Sequence, residues 1–142
     1  MMHCDRRHFV RAGTAAMAAV MLPGCASLVA RRVSLVDGLV RLSIRQHPEL
    51  AEPGGSLRLL PDGWTEPLYV MVLDDGAFAA VGSTCTHRGC TVEPEGPGFT
   101  CPCHGSEYDR RGRVLKGPAA RNLQPFPATV QGGELVIDVR ST

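Results

Sequence analysis

The chain has few aromatic residues and almost no net charge. Only 5% of its 142 residues are aromatic, so we expect a core built from valine, leucine, isoleucine and alanine. A chain of this length has room for one domain with a modest core. The formal net charge is +1, with acidic and basic residues nearly equal in number. This balance gives no indication of a nucleic-acid partner.

Beyond the N-terminal segment, the chain also lacks a long helical period and any internal repeat. Apolar and polar residues instead alternate, as in 40–45 and 135–140, and this period of two predicts half-buried strands. The continuous apolar run at 68–73 predicts a central strand. Asp-Asp-Gly at 74–76 and Gly-Gly at 132–133 predict hairpin turns. The pattern therefore predicts a small all-β fold of antiparallel strands.

Cysteine and histidine are concentrated in residues 85–106. Four of the six cysteines and two of the five histidines fall in this stretch, which reads Cys-Thr-His-Arg-Gly-Cys, then ten residues, then Cys-Pro-Cys-His-Gly-Ser. Two pairs on short loops could each hold a metal, Cys85 with His87 and Cys101 with His104. Two thiolates and two neutral imidazoles suit zinc. They also suit a 2Fe-2S cluster in which one iron carries the thiolates and the other the imidazoles.

Two further cysteines, Cys90 and Cys103, stand close to these pairs, one in each segment. If the two loops meet around one centre, these cysteines lie side by side and can close a disulfide. A structural zinc site has no use for them or for Ser106, so a zinc module is kept only as a third alternative.

Both segments resemble the two cluster-binding boxes of the Rieske iron-sulfur proteins. The resemblance is closest to the high-potential branch found in cytochrome bc and b6f complexes. It implies stacked antiparallel sheets with the cluster-binding loops at one tip, covered from a third side by residues 116–120. It also implies a Rieske-type 2Fe-2S cluster with four ligands and a disulfide between the loops: Cys85, His87, Cys101 and His104 as ligands, and Cys90 with Cys103 as the disulfide.

Two hydroxyl groups after the second box are implied to tune the cluster. By resemblance, Ser106 stands where a hydroxyl donates to a bridging sulfide, and Tyr108 where a phenol donates to a cysteine ligand. A loop-capping serine and a half-buried strand tyrosine are the alternatives. Hydrogen-bond donors aimed at sulfur stabilise the reduced cluster, so we expect a reduction potential at the high end of the Rieske range.

The resemblance implies one-electron transfer by a component of an oxidoreductase complex rather than by a stand-alone enzyme. The first hypothesis is the iron-sulfur subunit of a membrane complex that takes electrons from quinol and passes them to a c-type cytochrome. Arg88 departs from the family, in which an apolar leucine usually stands at this tip position. We therefore keep an alternative, a membrane-tethered carrier or small subunit of another exported oxidoreductase such as a molybdenum enzyme.

The N-terminus resembles an export signal. Arg6 and Arg7 precede an aromatic residue, and no charged residue occurs from 12 to 30. This pattern resembles a twin-arginine signal, and a general basic signal peptide is the alternative. A twin-arginine route exports folded proteins, which suits a protein whose cluster is assembled in the cytoplasm.

The sequence Leu-Pro-Gly-Cys ending at Cys25 resembles a lipobox. Lipidation of Cys25 would hold the domain at a membrane surface, whereas an uncleaved segment would act as an anchor. Both alternatives place the domain at the outer face of the bacterial cytoplasmic membrane or in the periplasm. We therefore expect an export signal or anchor in 1–25, a connector in 26–38 and the Rieske domain in 39–142.

Overall fold

A computed structural model describes residues 29–140 of the chain. The predicted export signal, with Cys25, lies outside the described residues. Within them, regular structure is almost entirely β-strand, with two short 3-10 helices at Ile44–Gln46 and Pro48–Leu50. The strands, in chain order, are β1 (Arg31–Val33), β2 (Leu35–Val36), β3 (Leu39–Ser43), β4 (Ser56–Pro61), β5 (Leu68–Val72), β6 (Phe78–Gly82), β7 (Glu93–Glu95), β8 (Gly98–Thr100), β9 (Glu107–Asp109), β10 (Val114–Lys116), β11 (Pro125–Phe126), β12 (Ala128–Gln131) and β13 (Glu134–Asp138).

The strands form three sheets, which confirms the predicted all-β fold. The first sheet has the order β1-β4-β5-β6-β11, the second β10-β9-β8-β7, and the third β12-β13-β3-β2. All but one of the strand pairs are antiparallel. The exception is β1, which runs parallel to β4. The prediction of a wholly antiparallel fold is therefore wrong at this one pair, and part of the expected connector, 31–36, contributes two short strands to the sheets.

The central strand β5 separates two apolar cores. All five of its residues are buried, as the continuous apolar run predicted. Because successive side chains point to opposite faces, Leu68, Val70 and Val72 pack into a core shared with β3, β4 and β13. Tyr69 and Met71 pack into a second core, shared with β8, β9 and the buried cysteines. The five-stranded sheet thus lies between the other two sheets.

The predicted strand at 40–45 ends earlier than the alternation indicated. Its antiparallel partner β13 begins at Glu134, which pairs with Ser43, so the ladder ends there. Ile44 starts a 3-10 helix, and its N–H donates to the carbonyl oxygen of Gly133. Pairing length, rather than hydrophobic period, determines this boundary.

The second core delivers the two Cys/His segments to one end of the molecule. β6 leads into the segment 83–92, and β8 leads into the segment 101–106, which β9 follows. Within residues 29–140, no helix is long and apolar enough to cross a membrane.

Gly98 allows β8 to lie close to β9. A Cβ atom at this position would be 2.0 Å from the carbonyl oxygen of Tyr108. We predict that Gly98→Ala lowers the free energy of unfolding by about 2–3 kcal/mol, since the two strands must move apart. Denaturant unfolding of the purified protein measures this. The control is Gly82→Ala in β6, whose Cβ would meet its nearest neighbour, a Gln124 side-chain carbon, at 3.4 Å. Equal losses in the two variants would contradict the close approach.

Candidate metal centre

The first loop, which we define as residues 83–92, folds back on itself around Cys85. The N–H of Cys85 donates to the carbonyl oxygen of Cys90 (2.7 Å), and the N–H of Gly89 donates to the carbonyl oxygen of Cys85 (2.9 Å). Gly89 has a φ of 79°, a conformation that glycine adopts without steric cost. This turn buries the Cys85 thiol and leaves His87 half-buried.

The second loop, residues 101–106, has the same turn. The N–H of Cys101 donates to the carbonyl oxygen of Ser106 (2.8 Å), and the N–H of Gly105 donates to that of Cys101 (2.9 Å). The φ of Gly105 is 73°, matching the first loop. A shared Cys-x-x-x-Gly spacing therefore encodes both turns, although the histidine is two residues after cysteine in one loop and three in the other.

The structure brings the four predicted ligand residues together at one end of the molecule. The Cys85 and Cys101 side chains are both buried and belong to the same apolar cluster. The imidazole rings of His87 and His104 lie edge to face, with their centroids 4.8 Å apart. The two thiols thus form an inner pair and the two imidazoles an outer pair.

A disulfide between Cys90 and Cys103 joins the two loops, with a Cα–Cα distance of 6.5 Å. This confirms the predicted pairing. The sulfur atoms of Cys90, Cys101 and Cys103 lie within 4.8 Å of one another, but two of these sulfurs are bonded to each other and are not available to a metal. Among the described cysteines, the free thiols are those of Cys85 and Cys101.

Hydrogen bonds at the inner pair favour the thiolate form of Cys85. Burial raises the pKa of this thiol, but hydrogen bonds outweigh that effect and lower it below the ordinary value. They come from the Tyr108 hydroxyl, the His87 backbone, and the Cys101 and Ser106 side chains. The Tyr108 oxygen is 3.2 Å from the Cys85 sulfur. Burial, together with this bond to Cys85, raises the pKa of Tyr108, so the phenol stays protonated and can donate.

Ser106 is fully buried and links the inner pair to the segment after β10. Its Oγ accepts a hydrogen bond from the N–H of Ala119 (3.0 Å), and its side chain is one of the groups that lower the pKa of Cys85. On the other loop, the Thr86 hydroxyl donates to the carbonyl oxygen of Arg121 (2.5 Å). Residues 117–121, which contain a cis Gly117–Pro118 peptide bond, are therefore tied to both loops. They overlap the predicted covering segment, 116–120.

The donor set fits a metal cofactor with two kinds of ligand. His87 Nδ1 is buried and has no hydrogen-bond partner among the described residues, which is costly unless the nitrogen binds something else. A 2Fe-2S cluster with one sulfur-ligated and one imidazole-ligated iron matches the separation into an inner thiol pair and an outer imidazole pair. Sequence reasoning identified these residues but missed Thr86 and Arg121, whose contact joins positions 35 residues apart.

The model of one protein family, described as the Rieske [2Fe-2S] domain, matches residues 55–127 of this chain. The cytochrome b6-f complex iron-sulfur subunit of a Synechococcus species is 45% identical over 89 residues, covering 58% of this chain and 51% of the relative. A chloroplast cytochrome b6-f complex iron-sulfur subunit of Nicotiana tabacum is 39% identical over 98 residues, which cover 66% of this chain and 40% of the relative. The chain thus spans about half, or less, of the length of these curated relatives.

Solved structures show the same fold. A plasma membrane Rieske protein from the cyanobacterium Synechocystis matches with a TM-score of 0.53 and 37% identity, over 58% of this chain and 85% of the other. A quaternary ammonium Rieske monooxygenase matches with a TM-score of 0.58 over 67% of this chain and 32% of the other, but at 19% identity this likeness concerns the fold alone.

The disulfide closes a chain segment with a sequence separation of 13, and we predict that it stabilises the tip. Replacing both Cys90 and Cys103 with alanine should lower the free energy of unfolding by about 3 kcal/mol, because the unfolded chain regains the freedom of that closed loop. Denaturant unfolding with and without a thiol reductant measures this. The reductant should destabilise the wild-type protein and leave the double variant unchanged. Equal stability of wild type and variant under oxidising conditions would contradict the prediction.

Proposed function

Because the chain belongs to the family of Rieske 2Fe-2S domains and its cofactor is a Rieske-type 2Fe-2S cluster, we propose that it transfers single electrons through a cluster held by the two loops. The observation that carries the proposal is the inner thiol pair beside the outer imidazole pair, with the buried and unpartnered Nδ1 of His87. When bound, the cluster supplies a site that accepts and releases one electron. In this proposal the cluster ligands are Cys85 and Cys101 on one iron and His87 and His104 on the other.

The site has a buried side, which holds the two thiols, and a solvent-accessible side, which holds the two imidazoles. Cys85 and Cys101 are 2% and 1% exposed, so the thiolates are kept from water. Tyr108 and Ser106 offer hydroxyl groups to the Cys85 side of the site. His104 is exposed and His87 half-buried, which leaves the imidazole side open to a partner. Compared with a cluster held by four thiolates, two neutral imidazoles also remove two negative charges, which raises the reduction potential of the cluster.

We infer a place for the protein in an electron-transport chain at the outer face of a membrane. The support is the similarity to iron-sulfur subunits of cytochrome b6-f complexes and to a plasma membrane Rieske protein. The proposed partner subunit is a membrane cytochrome, with quinol or a redox protein as electron donor and a c-type cytochrome as acceptor. The proposed export signal and lipid attachment at Cys25 would hold the 39–142 domain at that surface, beyond the 26–38 connector.

One observation favours a second candidate, a tethered carrier or small subunit of another exported oxidoreductase. Arg88 is exposed in the middle of the first loop, where an apolar residue would pack better against a membrane cytochrome. Purification from solubilised membranes distinguishes the two. A multi-haem cytochrome in the same complex supports the first candidate, and a large non-haem oxidoreductase subunit supports the second.

We predict that the full-length protein, purified with its cofactor, absorbs visible light and, once reduced, gives the paramagnetic resonance signal of a Rieske cluster. Replacing both His87 and His104 with alanine should abolish that signal and the bound iron, because one iron loses its protein ligands. The matched control is His47→Ala, since the His47 ring contacts the Ser43 carbonyl oxygen away from the loops. A colourless protein with one divalent ion, or iron retained in the double variant, would refute the proposed site.

We predict that Tyr108→Phe and Ser106→Ala each lower the midpoint potential by roughly 40–60 mV. Each variant removes a donor that stabilises the more negative reduced form, and about 1 kcal/mol of lost hydrogen-bond energy corresponds to about 40 mV for one electron. Redox titration followed by absorption measures the shift. The control is Tyr69→Phe, because the equally buried Tyr69 hydroxyl donates to the Val92 carbonyl oxygen and not to cysteine. An unchanged potential in the 106/108 double variant would exclude this role.

A further inference from the structure

The surface around the candidate centre carries positive charge and no negative charge. Three segments build it: 84–92 from the first loop, the second loop 101–106, and 117–124 after β10. These segments contain two arginines, Arg88 and Arg121, and no aspartate or glutamate. Both arginines are exposed. We call this surface the tip.

Most other basic side chains of the described residues are paired with a carboxylate. Within 29–140, eight of them form ion pairs: Arg31, Arg41, Arg58, Arg110, Arg111, Arg113, Lys116 and Arg140. No described carboxylate lies within ion-pairing distance of the remaining four, which are Arg32, Arg45, Arg88 and Arg121. Two of these four are therefore on the tip.

Both tip arginines line the same depression beside His87. The depression has a volume of about 500 Å³ and is also lined by Thr84, Thr86 and Asn122. The Thr86 hydroxyl donates to the Arg121 carbonyl oxygen, which fixes the Arg121 backbone against the first loop. The two guanidinium groups are thus carried by different segments that are held together at one opening.

We propose that this depression docks an acidic surface of a redox-partner protein, and that Arg88 and Arg121 recognise its carboxylates. The inference rests on the proposed electron transfer and deepens it. Guanidinium groups suit carboxylates because they present several donors in a planar fork and stay charged at every physiological pH. The depression is open and adjoins His87, so a partner seated there brings its own redox centre near the imidazole side. A free small anion would fill the opening without providing an electron acceptor.

The test compares two double variants that remove the same total charge. Arg88→Gln/Arg121→Gln neutralises the tip, and Arg32→Gln/Arg45→Gln neutralises the two unpaired arginines outside it. The full-length, cluster-loaded protein is reduced and then mixed rapidly with ferricyanide, an anion that takes one electron from the cluster and becomes ferrocyanide. A tripositive cobalt(III) phenanthroline complex, which becomes cobalt(II), serves as the oxidant of opposite charge.

At about 10 mM ionic strength, the tip variant should be oxidised by ferricyanide about tenfold more slowly than wild type. At about 1 M, where charges are screened beyond about 3 Å, the two oxidation rates should agree within about twofold. The tip variant should be oxidised faster by the cobalt complex at low ionic strength. The oxidation rate of the 32/45 variant should stay within about twofold of the wild-type rate with both oxidants. Equal slowing in the two double variants, or no slowing at the tip, would overturn the proposal.

A second measurement separates an acidic protein surface from a free anion. A hexaglutamate peptide should slow ferricyanide oxidation of the wild-type protein, and this inhibition should be lost in the tip variant. Inorganic phosphate at equal ionic strength should inhibit less, because one phosphate carries less negative charge than six glutamate carboxylates. Equal inhibition by phosphate would show a small-anion site and overturn the docking proposal. Absence of the cluster signal would instead refute the proposed function, whereas an intact cluster without charge dependence refutes only the docking site.

Discussion

The site depends on holding two similar turns face to face. Each Cys-x-x-x-Gly turn directs its own cysteine inward through two backbone hydrogen bonds, but neither turn alone can gather four ligands. The Cys90–Cys103 disulfide joins the turns at one side. On the other side, residues 117–121 bond to Ser106 in one loop and Thr86 in the other. The tip is therefore a closed arrangement of three segments, and its geometry does not depend on the bound cofactor alone.

The platform beneath the tip is the second apolar core. β5 contributes Tyr69 and Met71 to it, while its alternate residues serve the first core. Phe99 and Tyr108, which pair across β8 and β9, are buried beside the free thiols. The same strand pair therefore packs the core and positions the Tyr108 hydroxyl against Cys85. A shift of β8 against β9 would alter both packing and the hydrogen bond to sulfur.

Sequence reasoning recovered the parts of the structure that local pattern encodes. The period of two located β3 and β13, and the apolar run located the buried strand β5. The parallel pairing of β1 with β4 could not be predicted, because Arg31–Val33 has no alternation and its partner is set by the tertiary fold. The spacing of cysteine and histidine identified the candidate ligands. It could not identify the contact between Thr86 and Arg121. These residues are 35 positions apart in the sequence, and only the tertiary fold brings them together.

The interior and the surface of the tip are chemically separate. The groups that act on sulfur, Tyr108 and Ser106, are 1% and 0% exposed and cannot touch a partner. The two arginines of the proposed docking surface, Arg88 and Arg121, are exposed and form no ion pair with a described carboxylate. We therefore expect a substitution at position 88 to leave the hydrogen bond between Tyr108 and Cys85 intact. An arginine at position 88 is therefore compatible with the buried hydrogen bond between Tyr108 and Cys85.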